Sequence, residues 1–428
     1  MKIFKLIITL LIAFSLMISS YACSAGATGG FNTGGGSSMD GAGADSGEGS
    51  GSSSGDSSDS GNGSGNTDIT KPSGLITAAA WNDNDNYLYW QDLFSQDASA
   101  PGKFYNYYGV NSWGFNSYNR IKVTVKNGEN VVAGASVVAY NQENTAVYKA
   151  VSNANGVAYL FCDDDVGTIT ATSGESSSTV EFTAEQRDLT VELTSNADKM
   201  NVVELMFVVD VTGSMGDEIS FLKNEIADVV NKISASDNQV QIKLALLFYR
   251  DRGDAENLIY FDFEDVTTPE GLQKQQNAIR TQSATGGGDF PEYVDEALEL
   301  AVSKSWSDTA TTKIIFHLLD APPHSTDSDK VRFNTATLKA SELGIRYCPI
   351  LSSGADTLTE YVTRQAALHT GGTFVFITDD SGIGNSHHDP NLPNVTVEAL
   401  NSLMVRLVKG YHTGVFAEAI DWRYDTEK

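Results

Sequence analysis

The chain has 428 residues and carries 55 acidic against 28 basic side chains, a formal net charge of −27. That length accommodates about two folded units, each able to bury its own core. No stretch gathers Lys or Arg into a stripe that would neutralise phosphates, which argues against a nucleic-acid partner; the acidity suits a solvated extracellular surface and divalent-cation chemistry.

At the amino terminus Lys2 and Lys5 precede an apolar run over 6–18, followed by Ser19, Ser20, Tyr21, Ala22 and Cys23. This is the layout of an export signal over 1–22, too short to span a bilayer comfortably. Small residues ahead of a Cys resemble the lipobox of bacterial lipoproteins. The resemblance implies that Cys23 becomes the acylated first residue of the mature protein, anchored to the membrane through acyl chains at the cell envelope or surface. Ser20 and Tyr21 depart from the lipobox pattern, and ordinary cleavage after Ala22 is the alternative. Cys162 and Cys348 have neither metal-ligand nor redox spacing and read as small core residues.

Within the segment 23–73, residues 24–66 are almost all Gly, Ser, Ala, Thr, Asn and Asp, with Phe31 and Met39 as their large apolar residues. Such a composition cannot offset backbone entropy by burial and predicts a disordered tether. The segment 74–118 is rich in aromatics, among them Trp81, Trp90, Phe94, Phe104, Trp113 and Phe115, and should pack onto a neighbouring domain. Its run Asn82-Asp83-Asn84-Asp85-Asn86 alternates oxygen side chains as calcium loops do, but lacks the loop glycine and distal Glu of an EF-hand. An Asn/Asp-rich turn or helix cap is the other reading.

Over 119–199 the apolar residues recur at every second position, as in Ile121, Val123 and Val125, with Asn127-Gly128 and Asn155-Gly156 as turns. This predicts an all-β sandwich of about seven strands. The pieces 132–137 and 153–158 resemble carboxypeptidase-regulatory-like and other prealbumin-like sandwiches, which implies a spacer or support. Asp163, Asp164 and Asp165 offer either a calcium ligand set or a solvated acidic turn.

Over 200–414 continuous apolar runs alternate with helical patterns, which predicts an α/β fold with a doubly wound, mostly parallel sheet; 415–428 is read as a tail. Expected strands lie at 205–209, 240–248, 258–263, 313–319, 345–351 and 373–378, with a helix from Pro291 to Ser303 among those between. Where the first strand ends, Asp210, Thr212 and Ser214 place oxygen side chains two residues apart on a loop, with Gly213 permitting the turn. Oxygen-only ligands select a hard cation, Mg²⁺ or Ca²⁺.

Asp-x-Thr-Gly-Ser-Met after an apolar strand resembles the first part of the metal-ion-dependent adhesion site of von Willebrand factor A domains. The resemblance implies two further ligands, Asp289 after Gly286-Gly287-Gly288 and Asp320 closing a later strand. Asp289 stands where that family usually has Thr, so the site would carry three carboxylates, retain its ion tightly and favour Ca²⁺. The surrounding sequences resemble a subgroup of A domains in which Arg250, Asp251, Glu292 and His324 would stand around the rim, or else form a stabilising ion network. The function implied is cation-dependent binding of a protein partner, by adhesion or scaffolding, without catalysis.

Other readings of the same residues are open. Asp210 and Ser214 would also serve as helix caps with no ion present. His317, Asp320, His324, His387, His388 and Asp389 offer ligands for a metal-dependent hydrolase, although His317 sits mid-strand. A structural envelope protein with a stabilising ion would melt earlier in EDTA yet release no partner. Arg252-Gly253-Asp254 spells an integrin-binding tripeptide and is read as an incidental turn.

Overall fold

In the computed structural model, which describes residues 75–97, 99–100, 102–163, 165–236, 240–381 and 386–426, the first regular elements are strand β1 (Thr77–Trp81) and helix α1 (Tyr87–Asp92). The expected export signal, Cys23 and the tether lie outside the described residues. Eight strands follow: β2 (Arg120–Asn127), β3 (Asn130–Val131), β4 (Ser136–Asn141), β5 (Ala146–Val151), β6 (Val157–Phe161), β7 (Val166–Ser173), β8 (Ser176–Glu181) and β9 (Asp188–Glu192). Two four-stranded sheets result, one with β2 bonded to β3, β6 and β9, the other in the order β5-β4-β7-β8. Alternation does the sorting: Ile121, Val123 and Val125 are buried while Lys122 and Thr124 remain partly exposed.

The remaining chain is β10 (Met200–Asp210), α2 (Gly216–Ser236), β11 (Gln241–Tyr249), β12 (Leu258–Asp265), α3 (Pro269–Arg280), α4 (Val294–Val302), β13 (Ala310–Leu319), α5 (Asp327–Leu343), β14 (Ile345–Leu351), α6 (Thr357–Thr370), β15 (Phe374–Ile377), β16 (Glu398–Ala399) and α7 (Leu400–Thr413). Its eight-stranded sheet has the order β12-β11-β10-β13-β14-β15-β1-β16. Strands β11, β10, β13, β14 and β15 run parallel, and β12 and β1 pair antiparallel to their neighbours. The expected mostly parallel α/β fold is thus present. Alternate residues of β10 feed two cores: Leu205, Phe207 and Val209 face α2 and α7, and Met206 and Val208 join the side covered by α4, α5 and α6. Among the described residues, no helix is long and apolar enough to cross a membrane.

Two features differ from the sequence expectation. Residues of the aromatic segment supply β1, which lies between β15 and β16, with Ala78 opposite Ile377 and Thr77 opposite Ala399. The sandwich, the aromatic segment and the helices α4 to α6 also share one continuous apolar core, in which Val123 and Phe161 belong with Phe104, Phe333 and Tyr361. The Tyr148 hydroxyl meets His369 Nδ1 at 2.9 Å, and Arg346 donates to the Val151 carbonyl at 3.1 Å. Cys162 and Cys348 are buried thiols, in keeping with core roles.

The acidic run 82–86 is a turn, held by Asn82 Oδ1 accepting from the Asn84 and Asp85 amides. Its Asp83 fastens the aromatic segment to α6. The fully buried Arg364 donates Nη2 to Asp83 Oδ1 at 2.6 Å and Nη1 to Glu360 Oε1 at 2.8 Å, with Trp90, Phe104 and Phe374 around the guanidinium. Burial alone would raise the Glu360 carboxyl; the hydrogen bond from His388 and the charges of Arg364, Lys103 and His388 hold it at about 2, against an ordinary 4.5. The folded value is depressed, so this carboxylate stabilises the fold fully above pH 4.5 and ceases to do so as pH falls through about 2. We expect Glu360→Gln to cost on the order of 3 kcal/mol at neutral pH, because it leaves Arg364 half-paired in the core. Urea midpoints taken from neutral pH downward should converge for wild type and variant at the acid end; a pH-independent gap would refute the assignment.

Candidate metal centre

Strand β10 ends in Asp210, whose side chain is fully buried. Its Oδ1 accepts from the Thr212 amide at 2.8 Å and from Thr212 Oγ1 at 2.7 Å, and Thr212 Oγ1 lies 3.2 Å from Ser214 Oγ. Ser214 shares the wall of one cleft with Asp320, the residue that follows β13. Four of the five expected ligands therefore come together, Asp210 and Thr212 buried, Ser214 exposed, and the charge of Asp320 near enough to act on Asp210. The cleft measures 360 Å³, and its walls include the loops at 212–214 and 286–290 and Asp320.

Asp289 is placed differently. It is exposed at the lip of the cleft and has no hydrogen bond or ion pair to any described residue. The helix expected from Pro291 begins instead at Val294, because the Glu292 amide donates to the Pro322 carbonyl at 3.0 Å and Glu292 bridges to Pro323. Glu292 is only 4% exposed. Burial, then the charges of Asp210, Asp251, Asp320 and Asp254, push its carboxyl up to about 9. Burial followed by the charge of Asp320 likewise raises Asp210.

Sequence reasoning missed Glu218. It lies four residues after Ser214, in the first turn of α2, where its charge adds to burial in raising Asp320. Its Oε1 accepts from the Ser353 amide and hydroxyl. One carboxylate oxygen each of Asp210, Glu218 and Glu292 is buried without a hydrogen-bond partner. Two hydroxyls beside unsatisfied carboxylate oxygens fit a hard divalent cation of the Mg²⁺ or Ca²⁺ kind. Asp210, Thr212, Ser214 and Asp320 are the residues that would hold it.

Neighbouring loops are locked to this site. The Thr285 amide donates to the Val211 carbonyl at 3.0 Å and the Gly213 amide to the Gly286 carbonyl at 3.2 Å. Arg250 forms no ion pair among the described residues; it donates to the carbonyls of Ser283, Thr285 and Glu256. Asp251 Oδ1 lies 2.7 Å from His324 Nε2. Asp254 Oδ2 accepts from the amides of Gly287 at 2.8 Å and Asp251 at 3.2 Å. Gly286 has a φ of +84°, and a Cβ there would come within 2.5 Å of that same oxygen, so only glycine fits.

Arg252 is occupied as well. Asp295, Glu296 and Asp329 bring carboxylate oxygens within 4.8 Å of one another, a grouping with metal-ligand spacing. Arg252 reaches Asp329 at 2.7 Å and Glu296 at 3.0 Å, and Arg332 reaches Asp295 at 2.6 Å, so two guanidiniums already meet three acids. The Arg-Gly-Asp tripeptide is thus built into two internal networks. The histidines have separate partners: His317 bonds Tyr249 at 3.0 Å and Tyr347 at 2.9 Å, His388 bonds Glu360, and His387 bonds Asp379.

Asp254→Ala removes the acceptor of two loop amides. It should raise hydrogen–deuterium exchange at Gly287 by about tenfold, for a loss of about 1–3 kcal/mol locally, while amides in β10 and β13 stay protected. Unchanged exchange at Gly287 would show that another contact holds the loop.

Comparison with known proteins bears on the same segment. Residues 204–342 match the family model described as von Willebrand factor A domain. The alpha-protein kinase vwkA of Dictyostelium discoideum is 30% identical over 145 residues, which are 33% of this chain and 22% of that protein. A putative ariadne-like RING finger protein of Acanthamoeba polyphaga mimivirus is 30% identical over 140 residues, 32% of this chain and 13% of that protein. The chain thus spans less than a quarter of the length of these curated relatives. Among solved structures, a point mutant of the PilB minor pilin from Streptococcus sanguinis aligns with 69% of this chain and 93% of its own, at 10% identity and a TM-score of 0.33. Within the longer chain, residues 204–342 are therefore a von Willebrand factor A domain.

Proposed function

We propose that the protein is exported to the cell envelope, held there by acylation at Cys23, and binds a protein partner through a divalent cation seated on Asp210, Thr212, Ser214 and Asp320. The carrying observation is the buried Asp210 Oδ2, which has no hydrogen-bond partner among the described residues and belongs to the side chain bonded to Thr212, a residue that lines an open cleft. Leaving such an oxygen unsatisfied is costly, and a hard cation supplies what it lacks. The position of the cleft at the carboxyl ends of parallel strands supports the reading, since ligands of doubly wound sheets bind there. Binding, rather than catalysis, is the reading we take because His317, His324, His387 and His388 each already have a protein partner, Tyr249 with Tyr347, Asp251, Asp379 and Glu360 in turn.

The test is calorimetric titration of Ca²⁺ and Mg²⁺ into the chelator-stripped full chain, with Asp210→Asn as control. Wild type should bind, and an ion present at about 100 times its Kd should stabilise the fold by about 2.7 kcal/mol; the variant should show neither effect. No heat and no stabilisation with either ion would overturn the proposal. Partner capture from envelope extract or host matrix should be released by EDTA, and capture indifferent to EDTA would remove the cation from the interface.

A further inference from the structure

We propose that Glu292, and not Asp289, is the cation ligand that the glycine-rich loop supplies, and that it biases the site toward Ca²⁺. The inference rests on the cation-site reading and names a residue within it. Glu292 is rooted by its backbone: its amide is bonded to the Pro322 carbonyl, beside the strand end that carries Asp320. Its carboxylate head is aimed at the site. A Cβ on Gly287, whose φ of +78° already favours glycine, would lie 3.1 Å from Glu292 Oε1 and 3.2 Å from Thr212 Cβ, so head group and ligand loop flank one point. Oε2 is buried with no hydrogen-bond partner. Asp289, on the lip, is exposed and has no hydrogen bond or ion pair to a described residue.

Charge supplies the second argument. Among the described residues, no Lys or Arg pairs with Asp210, Glu218, Glu292 or Asp320, although other buried acids of the same molecule have such partners. Among the described residues neither a donor nor an acceptor meets Oε2 of Glu292. A cation shared with Asp210 and Asp320 satisfies that oxygen directly. Three carboxylates with two hydroxyls make a large, anionic, all-oxygen set, the kind that suits the higher and more flexible coordination of Ca²⁺ over octahedral Mg²⁺.

The experiment titrates Ca²⁺ and Mg²⁺ into chelator-stripped full chain carrying Glu292→Gln, Glu292→Asp, Asp289→Asn or Asp210→Asn, and measures Tb³⁺ luminescence lifetimes in light and heavy water. We expect Glu292→Gln to weaken Ca²⁺ at least about tenfold and to narrow its preference over Mg²⁺, with Glu292→Asp intermediate and Asp289→Asn within about twofold of wild type. Tb³⁺ bound to Glu292→Gln should carry about one more inner-sphere water than in wild type. In EDTA, Glu292→Gln should melt no lower than wild type, because an unpaired buried acid has been removed. Wild-type affinity in Glu292→Gln, a loss confined to Asp289→Asn, or a marked fall in the EDTA melting temperature would overturn the assignment. If Asp210→Asn also binds as wild type does, the cation-site reading itself fails, separately from the choice of Glu292.

Discussion

Carboxylates that are buried without an adjacent cation constrain this molecule more than any other interaction. Elsewhere several of its buried acids are matched by guanidinium groups: Asp83 and Glu360 share Arg364, Asp295 meets Arg332, and Glu398 pairs with Arg406. At the carboxyl ends of β10 and β13 the pattern breaks, and Asp210, Glu218, Glu292 and Asp320 lie together with no such partner among the described residues. Desolvation of this kind is costly, and the carboxyls of Asp210 and Glu292 are raised by it; the cation proposed above would offset the same cost.

The constraint explains the machinery around it. Loops that must present oxygen atoms to one point lose entropy in doing so, and here that ordering is supplied by neutral main-chain contacts. Arg250 binds three carbonyls, and Asp254 binds two amides. The Arg-Gly-Asp tripeptide takes its meaning from this arrangement, with its two charged ends facing different internal networks.

Much of this is legible in the sequence, for identifiable reasons. The β10 run and the oxygen side chains at 210, 212 and 214 depend on local spacing alone, and the loop that results is where spacing puts it. The family resemblance puts Glu292 near the site but only at its rim. The bridge to Pro323 that delays the helix pairs residues 31 positions apart and leaves no local trace. Strand β5 escapes a reading by periodicity because Ala146 and Val147 are exposed, which breaks the alternation that identifies its neighbours. The run 82–86 announces a turn but not its buried ion pair, since Arg364 lies 281 residues from Asp83.

Insertion of β1 between β15 and β16 has a consequence for how the molecule is assembled and divided. The strand is synthesised before the sheet it completes, and Ala78 must wait for Ile377, a pairing of very high sequence separation that makes closure a late, slow event. Excising the stretch from β10 onward would strip β15 of its antiparallel neighbour, bare the apolar faces of α5 and α6 now covered by Trp113, Phe115 and Phe104, and leave an unpaired sheet margin open to self-association. The unit that keeps this sheet margin paired and this core covered is accordingly larger than the family-matched segment.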